Sequence, residues 1–301
     1  MPEGAPIRAR IRLWGVRGTC PSPGAQTVRY GGNTPCVEVR SASDELIVLD
    51  AGTGLRALGQ ALDGEIDDRP VHVFLSHRHV DHVMGLTQFS TMISGARDVS
   101  IACGHVSPTE LRSFVKELTS PPLFPPLSGL TARLAFPDWD VNAGALIGTN
   151  LKVRGIAARH PGGATVVVIQ DELGAILAYA PDNELSILSD DPTVAAWRDA
   201  LAVALRDVPV LIHDATYTDA ELARHVGWGH SSAEDATRFA VACNASTLLL
   251  FHHHPDRRDD EVTEIVMRCR EIALSMGSAL MVDAAAEGLT LDVRLRETAL
   301  V

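Results

Sequence analysis

The chain has 301 residues, 26 Lys+Arg against 38 Asp+Glu, and a formal net charge of −12. At 46% hydrophobic and 21% charged it has globular composition, which excludes a disordered, fibrous or coiled-coil chain. The acidic balance argues against a nucleic-acid coat or a polybasic membrane binder, since both rely on excess positive charge.

Short runs rich in Val, Ile and Leu, punctuated by Gly, Pro and Asn, predict strands at Ile7–Trp14, Thr27–Arg40, Glu45–Leu49 and Val71–Leu75. Pro108-Thr109-Glu110 opens a helix that runs to about Leu118. Further strands are expected at Leu151–Ile156, Thr165–Gln170 and Ala175–Tyr179, then a helix from Asp191/Pro192 to about Arg206. The strand Val208–Ile212 follows, and Ser231-Ser232-Ala233-Glu234 gives a capping-box-like helix start. Thr247–Phe251, a helix from Asp260 to about Ser275, Ala279–Val282 and Leu289–Val293 complete the series. Strands in clusters, with helices before, between and after them, favour layered α/β with mixed sheets over an alternating parallel barrel. With no internal repeat and no linker, 1–301 reads as one domain.

Thr119–Pro137 holds five prolines, which forbids long regular structure there. It reads as a surface connector or as a substrate-facing wall, with Phe124 and Trp139 as candidate contacts. The cysteines (Cys20, Cys36, Cys103, Cys243, Cys269) are odd in number and lack CxxC spacing, so no disulfide framework or zinc knuckle is expected. Met1–Arg10 lacks the apolar core of a signal peptide, and the longest apolar runs are strand-sized. A cytoplasmic protein without membrane contact is expected.

The most informative stretch is Leu75-Ser76-His77-Arg78-His79-Val80-Asp81-His82, at the end of a predicted strand. Burying three imidazoles and a carboxylate without partners would cost several kcal/mol per group. A divalent cation resolves the conflict, because imidazole nitrogens and carboxylate oxygens are donors that zinc takes. A solvated polar loop is the alternative. Asp182, alone in Pro-Asp-Asn, would read as a turn residue, and Asp50 as a turn before Gly52. His160 before Pro161 would read as a surface histidine, and His230 as a neighbour of a helix start.

Taken together, the motifs tell more. Gly15–Pro21, Tyr30–Thr34, Leu49–Gly54, His77–His82, Arg159–Gly163, Tyr179–Glu184, His213–Tyr217, Gly229–Ser232 and Leu250–His253 stand in an order that resembles the metallo-β-lactamase fold. The resemblance covers nearly the whole chain. It is to the phosphodiesterase branch, the bacterial subgroup with phosphoribosyl cyclic phosphodiesterase and relatives of ribonuclease Z. It implies a four-layered αββα sandwich. It also implies two divalent metal ions, with Zn²⁺ first and Mn²⁺ or Fe²⁺ as alternatives. On this resemblance His77, His79 and His160 would hold one metal, Asp81, His82 and His252 the other, and Asp182 would bridge them.

The same resemblance puts Asp50 behind a ligand histidine and Asn33 and His253 around the ligands or the substrate. It makes Asp214 with His230 an acid–His proton shuttle, so Asp81, Asp214 and His230 count as the catalytic residues. The chain departs from the family pattern at Val80, commonly Trp, and at His254, usually an acid. His72, His105 and His225 match no motif and read as structural or exposed.

The implied reaction is hydrolysis of a phosphodiester by metal-bound hydroxide. Ribonuclease Z carries a tRNA-gripping arm between its third histidine and the bridging aspartate. Here His160 to Asp182 spans only 22 positions, which leaves no room for it. A small phosphodiester, cyclic ones included, and not a long nucleic acid, is therefore the expected substrate; a homodimer is compatible with the sequence. The rivals are a C–N, C–S or lactone hydrolase on the same fold, and a redox or sensor module using the same cage.

Overall fold

The computed structural model describes residues 5–95, 97–125, 133–187 and 189–295. Two seven-stranded sheets form its centre. The first has the order β14-β1-β2-β3-β4-β5-β6. Its strands are β1 (Ile7–Gly15), β2 (Cys36–Ser41), β3 (Leu46–Leu49), β4 (Val71–Leu75), β5 (Val99–Cys103), β6 (Leu134–Ala135) and β14 (Thr290–Arg294). The second has the order β13-β12-β11-β10-β9-β8-β7. It contains β7 (Ala145–Ile147), β8 (Leu151–Ala158), β9 (Ala164–Asp171), β10 (Gly174–Ala180), β11 (Val210–Asp214), β12 (Thr247–Phe251) and β13 (Met281–Ala284).

Helices α1 (Gly54–Asp63), α2 (Ser90–Ser94) and α3 (Pro108–Leu118) cover the first sheet. The second is covered by α4 (Pro192–Ala204), α6 (Ala233–Ala242) and α7 (Asp259–Ser275), with the short α5 (Asp219–Leu222) alongside. Three apolar bodies hold these layers. Ile11, Leu13, Ile47, Val167, Ile212 and Phe251 fill the space between the sheets. The other two lie under the helices on either side, around Leu55, Leu58 and Phe89, and around Phe239, Leu248 and Ile265. That is the αββα order that the family resemblance implies.

Local chemistry sets the helix starts. Ser107 and Glu110 form a reciprocal capping box with Pro108 at the first turn, so α3 runs over Pro108–Leu118 as predicted. Asp191 caps α4 by accepting from Thr193 N, and Ser232 caps α6 by accepting from Asp235 N. Glu234 closes no capping box; it pairs with Arg268 of α7 instead.

Three expectations change. Thr27–Arg40 is strand only from Cys36 onward. The Gly31-Gly32-Asn33-Thr34-Pro35 run cannot sustain a ladder, and Arg17, fully buried, holds the loop by donating to Gly31 O. Trp139 is no substrate contact: it is buried, edge-on to Phe74 at 4.9 Å, and donates to Val153 O. Phe124 is half-buried, and the 126–132 part of the predicted wall lies outside the described residues. Strands β5 to β7 and helices α1, α2 and α5 have no counterpart in the sequence reading: runs of two to five residues show too little of a period, whereas α1 does carry a helical stripe, Leu55, Leu58 and Leu62, all buried.

Topology places the site. β3 pairs parallel with β4, and β10, β11 and β12 pair parallel with one another. β8 runs in the same direction as β10 because β9 is antiparallel to both. The loops leaving β4, β8, β10, β11 and β12 therefore emerge at carboxyl ends, where α/β sheets gather ligand-binding residues.

Candidate metal centre

His77, His79, His160 and Asp182 form one group of donors within 4.8 Å of one another, and Asp81, His82 and His252 form a second. Asp182 lies between them. Its Oδ2 stands 3.7 Å from Nε2 of both His77 and His160, and its Oδ1 stands 3.0 Å from His82 Nε2 and 3.4 Å from His252 Nε2. Asp81 Oδ2 is 3.3 Å from Nε2 of both His82 and His252, and it accepts from Thr19 N at 2.8 Å. The structure thus brings together all seven residues proposed as ligands, in the two groups proposed.

These atoms ask for a cation. His77 Nε2, His82 Nε2 and Asp182 Oδ1 are buried with no hydrogen-bond partner. His160 Nε2 and His79 Nδ1 face each other at 3.0 Å. Unpaired lone pairs in a buried site cost free energy unless something positive sits among them. The His/Asp donor set suits divalent metal ions.

The outward nitrogens show that the lone pairs are aimed. His82 Nδ1 donates to Asp50 Oδ2 at 2.7 Å. Ser76 Oγ donates to Asp50 Oδ2, so it is free to accept from His77 Nδ1 at 3.0 Å. His160 Nδ1 donates to Gly229 O at 2.9 Å. Thr216 Oγ1 donates to Asp214 Oδ1 at 2.7 Å and can accept from His252 Nδ1 at 2.9 Å. In all four rings Nδ1 meets an acceptor that can hold its proton, so in the neutral ring it is the Nε2 lone pair that is left facing the cluster. Asp50, fully buried, also accepts from Ser76 N and from the Tyr179 hydroxyl.

Burial alone would raise the Asp81 and Asp182 pKa values. In the metal-free chain the adjoining histidines, as imidazolium, overcome this and hold both carboxyls well below the usual range. Asp214 is lowered in the same way, by His230 against its own burial. His230 Nδ1 lies 2.8 Å from Asp214 Oδ2. Burial disfavours the imidazolium, but Asp214 outweighs it and pushes His230 up to about 9. Asp214 is fixed by Asn183 N and Thr216 N, which both donate to it.

Two of the sequence candidates are engaged elsewhere. Asn33 donates from N and Nδ2 to Glu287, clasping the loop before β2 instead of facing the cluster. His253 is buried, donates from Nε2 to Ala285 O, and is pushed down to about 3 by desolvation. His213 is likewise spent internally, on Asp214 O and Asn183 Nδ2. Conversely, Ser76, Thr216 and Tyr179 carry roles that the sequence reading left unassigned. Each stands beside a quoted motif residue, but only the fold shows which acceptor faces which ring. Gly18 matters for space: a Cβ there would lie 2.2 Å from His252 Nδ1.

Among the described residues, no helix is long and apolar enough to cross a membrane. Comparison with known proteins agrees with the geometry. The chain is 24% identical over 253 residues to a ribonuclease Z of Azobacteroides pseudotrichonymphae genomovar. CFP2, covering 73% of this chain and 82% of that one. It superposes on the metallo-beta-lactamase fold protein YhfI from Bacillus subtilis with a TM-score of 0.68 at 17% identity, over 94% of this chain and 99% of that one. It also superposes on a diphosphatase from the PhnP family with a TM-score of 0.62 at 17% identity, over 96% and 100%. The family model described as "Beta-lactamase superfamily domain" matches residues 46–253, from β3 to just past His252. This chain belongs to the beta-lactamase superfamily and has the metallo-β-lactamase fold.

Proposed function

We propose that this protein is a dinuclear metal-dependent phosphodiesterase acting on a small phosphodiester, a cyclic one included. The observation that carries the reading is the seven-donor cluster, buried but for His79 and the half-buried His160, lying against the Asp214–His230 pair, since His230 Nδ1 is 4.0 Å from Asp182 Oδ2. His77, His79 and His160 would hold one ion, Asp81, His82 and His252 the other, with Asp182 shared. When bound, such ions lower the pKa of water and polarise a phosphoryl oxygen. Zn²⁺ fits the donors best, and Mn²⁺ or Fe²⁺ fit them too.

The remaining work falls to the chain itself. A water oxygen, having given up one proton to solvent, bonds to phosphorus, and the bond from phosphorus to the leaving oxygen breaks. His230, as imidazolium, keeps Nδ1–H on Asp214 and gives its Nε2 proton to the departing oxygen. Asp214 stabilises the imidazolium and fixes its orientation. His230 retains 13% of its side-chain exposure, which leaves it open to a substrate, whereas Asp214 has none.

Substrate size follows from the His160–Asp182 interval. It is filled by β9 and β10, joined by two residues, and holds no inserted arm. A chain without such an arm suits a small diester better than a tRNA. The similarity to a ribonuclease Z and to a diphosphatase supports phosphate chemistry over C–N or C–S hydrolysis.

The test is metal analysis coupled to a substrate panel of bis(p-nitrophenyl) phosphate, 2′,3′- and 3′,5′-cyclic nucleotides, a cyclic ribose phosphate, short RNA and a β-lactam. Two metal ions per chain are expected, with turnover of a diester that Asp182→Ala abolishes. A metal-loaded protein that opened the lactam and left every diester intact would overturn the reading.

A further inference from the structure

The segment between α5 and α6, which leads up to His230, exposes a large aromatic residue. Trp228 is 61% exposed. A single exposed indole is unremarkable by itself; what sets this one apart is how firmly the structure holds it. The buried Glu184 accepts from Gly227 N at 3.0 Å and from Gly229 N at 2.8 Å, gripping the backbone on both sides of Trp228. Gly227 and Gly229 have φ of 84° and 85°, a backbone that no other residue adopts without strain. Gly229 is packed so closely that a Cβ would lie 2.3 Å from His160 Nδ1.

Aromatic rings hold the segment from the other side. His225 stacks on Tyr217 at 4.3 Å and 8°, and its Nδ1 donates to Glu221 O. Trp228 stands edge-on to His225 at 5.0 Å, and its backbone N donates to His225 O. The Tyr217 ring is in turn 6.1 Å from that of His230. The rings His230, Tyr217, His225 and Trp228 thus form a continuous row from the acid outward, and the neighbouring Gly229 fixes the row against His160. An indole ordered in advance loses little further freedom on binding, which is what a recognition surface requires.

We propose that Trp228 is a specificity-determining residue whose indole stacks on a planar ring of the substrate's leaving group. The substrate class is then a phosphodiester of a nucleoside or other ring-bearing alcohol, as opposed to a bare sugar phosphate. This rests on the phosphodiesterase reading above, because His230 defines the side on which the leaving oxygen departs. Stacking on an indole tolerates any base, since every base offers a π face. Trp228 therefore selects for a ring and not for its identity.

The experiment uses the metal-loaded full chain, with Trp228→Ala and Trp228→Phe variants. Two substrates share one scissile phosphate: adenosine 2′,3′-cyclic phosphate and the 2′,3′-cyclic phosphate of 1-O-methylribose, which has no base. Trp228→Ala should raise KM about tenfold for the adenosine substrate, leave kcat within about twofold, and leave the base-free substrate unchanged. Trp228→Phe should restore most of the loss. Independently of turnover, AMP should quench tryptophan fluorescence in the wild type and not in Trp228→Phe. Equal effects on both substrates, or quenching that persists without Trp228, would overturn the proposal. Trp228-dependent quenching in a protein that cleaves no diester, bis(p-nitrophenyl) phosphate included, would sustain the stacking surface and refute the phosphodiesterase reading instead.

Discussion

Thr216 Oγ1 lies 2.9 Å from His252 Nδ1, and the same hydroxyl donates to Asp214 at 2.7 Å. One side chain therefore ties a proposed metal ligand to the carboxylate that orients the proposed acid. His252 sits in the left-handed backbone region at φ 58°, so its ring direction depends on such support. Thr216→Val keeps the shape and removes the hydroxyl. It should weaken binding of the ion held by Asp81, His82 and His252 roughly 10- to 100-fold, with the other ion less affected. Stepwise metal titration by calorimetry checks this; two unchanged affinities would show that the hydroxyl does not set the His252 tautomer.

Asp50 accepts from His82, Ser76 and Tyr179 and has no exposure. Asp50→Asn puts an NH₂ group among these donors, so at least one of them is left unpaired. We expect apparent metal affinity to drop roughly 10- to 100-fold, and the metal-free protein to lose about 1–3 kcal/mol. Competition with a chelator and denaturant unfolding measure the two separately.

The acid carries its own pH signature. His230 is pushed up to about 9 in the metal-free chain by Asp214. A histidine whose folded pKa is raised adds stability that is fully present below its unfolded value, near 6.5, and lost as pH climbs through the folded one. Asp214→Asn should bring the His230 titration down and erase that slope between about pH 6.5 and 9. Imidazole NMR signals, followed alongside melting temperature, give both readouts. A His230 titration that did not move would contradict the pairing.

Trp139 tests the corrected reading of the proline-rich region. It fills space between the sheets against Phe74, and Trp139→Ala should cost about 3–5 kcal/mol in unfolding free energy. Residual folded protein should keep its KM for the diester. A raised KM with intact stability would return Trp139 to the substrate wall.

Much of the site was legible in the sequence because its chemistry is written in residue types. His77, His79, Asp81 and His82 sit within six positions, too much polarity to bury without a cation. The layered α/β class followed from clustered strand runs, and α3 and β12 from the Pro108-Thr109-Glu110 helix start and an apolar run with clear ends. Asp182, His160 and His252 were legible only through resemblance, since each alone looks like an ordinary loop residue.

Tertiary structure decided what local patterning cannot carry. Asn33 and His253 stand in motifs yet bond to Glu287 and Ala285, because a motif does not say which way a loop folds. Thr216 matters only because β11 and β12 end side by side, bringing its hydroxyl to His252, and Ser76, next to His77 in the chain, is turned to accept from it by Asp50 at the end of β3. The sequence by itself determined the donors and therefore the kind of ion they suit. The parallel strand ends determined which lone pairs meet, which protons point away, and that His230 has Asp214 behind it. Ligand type is a property of single side chains, whereas tautomer and charge are set by neighbours that only the packed chain supplies.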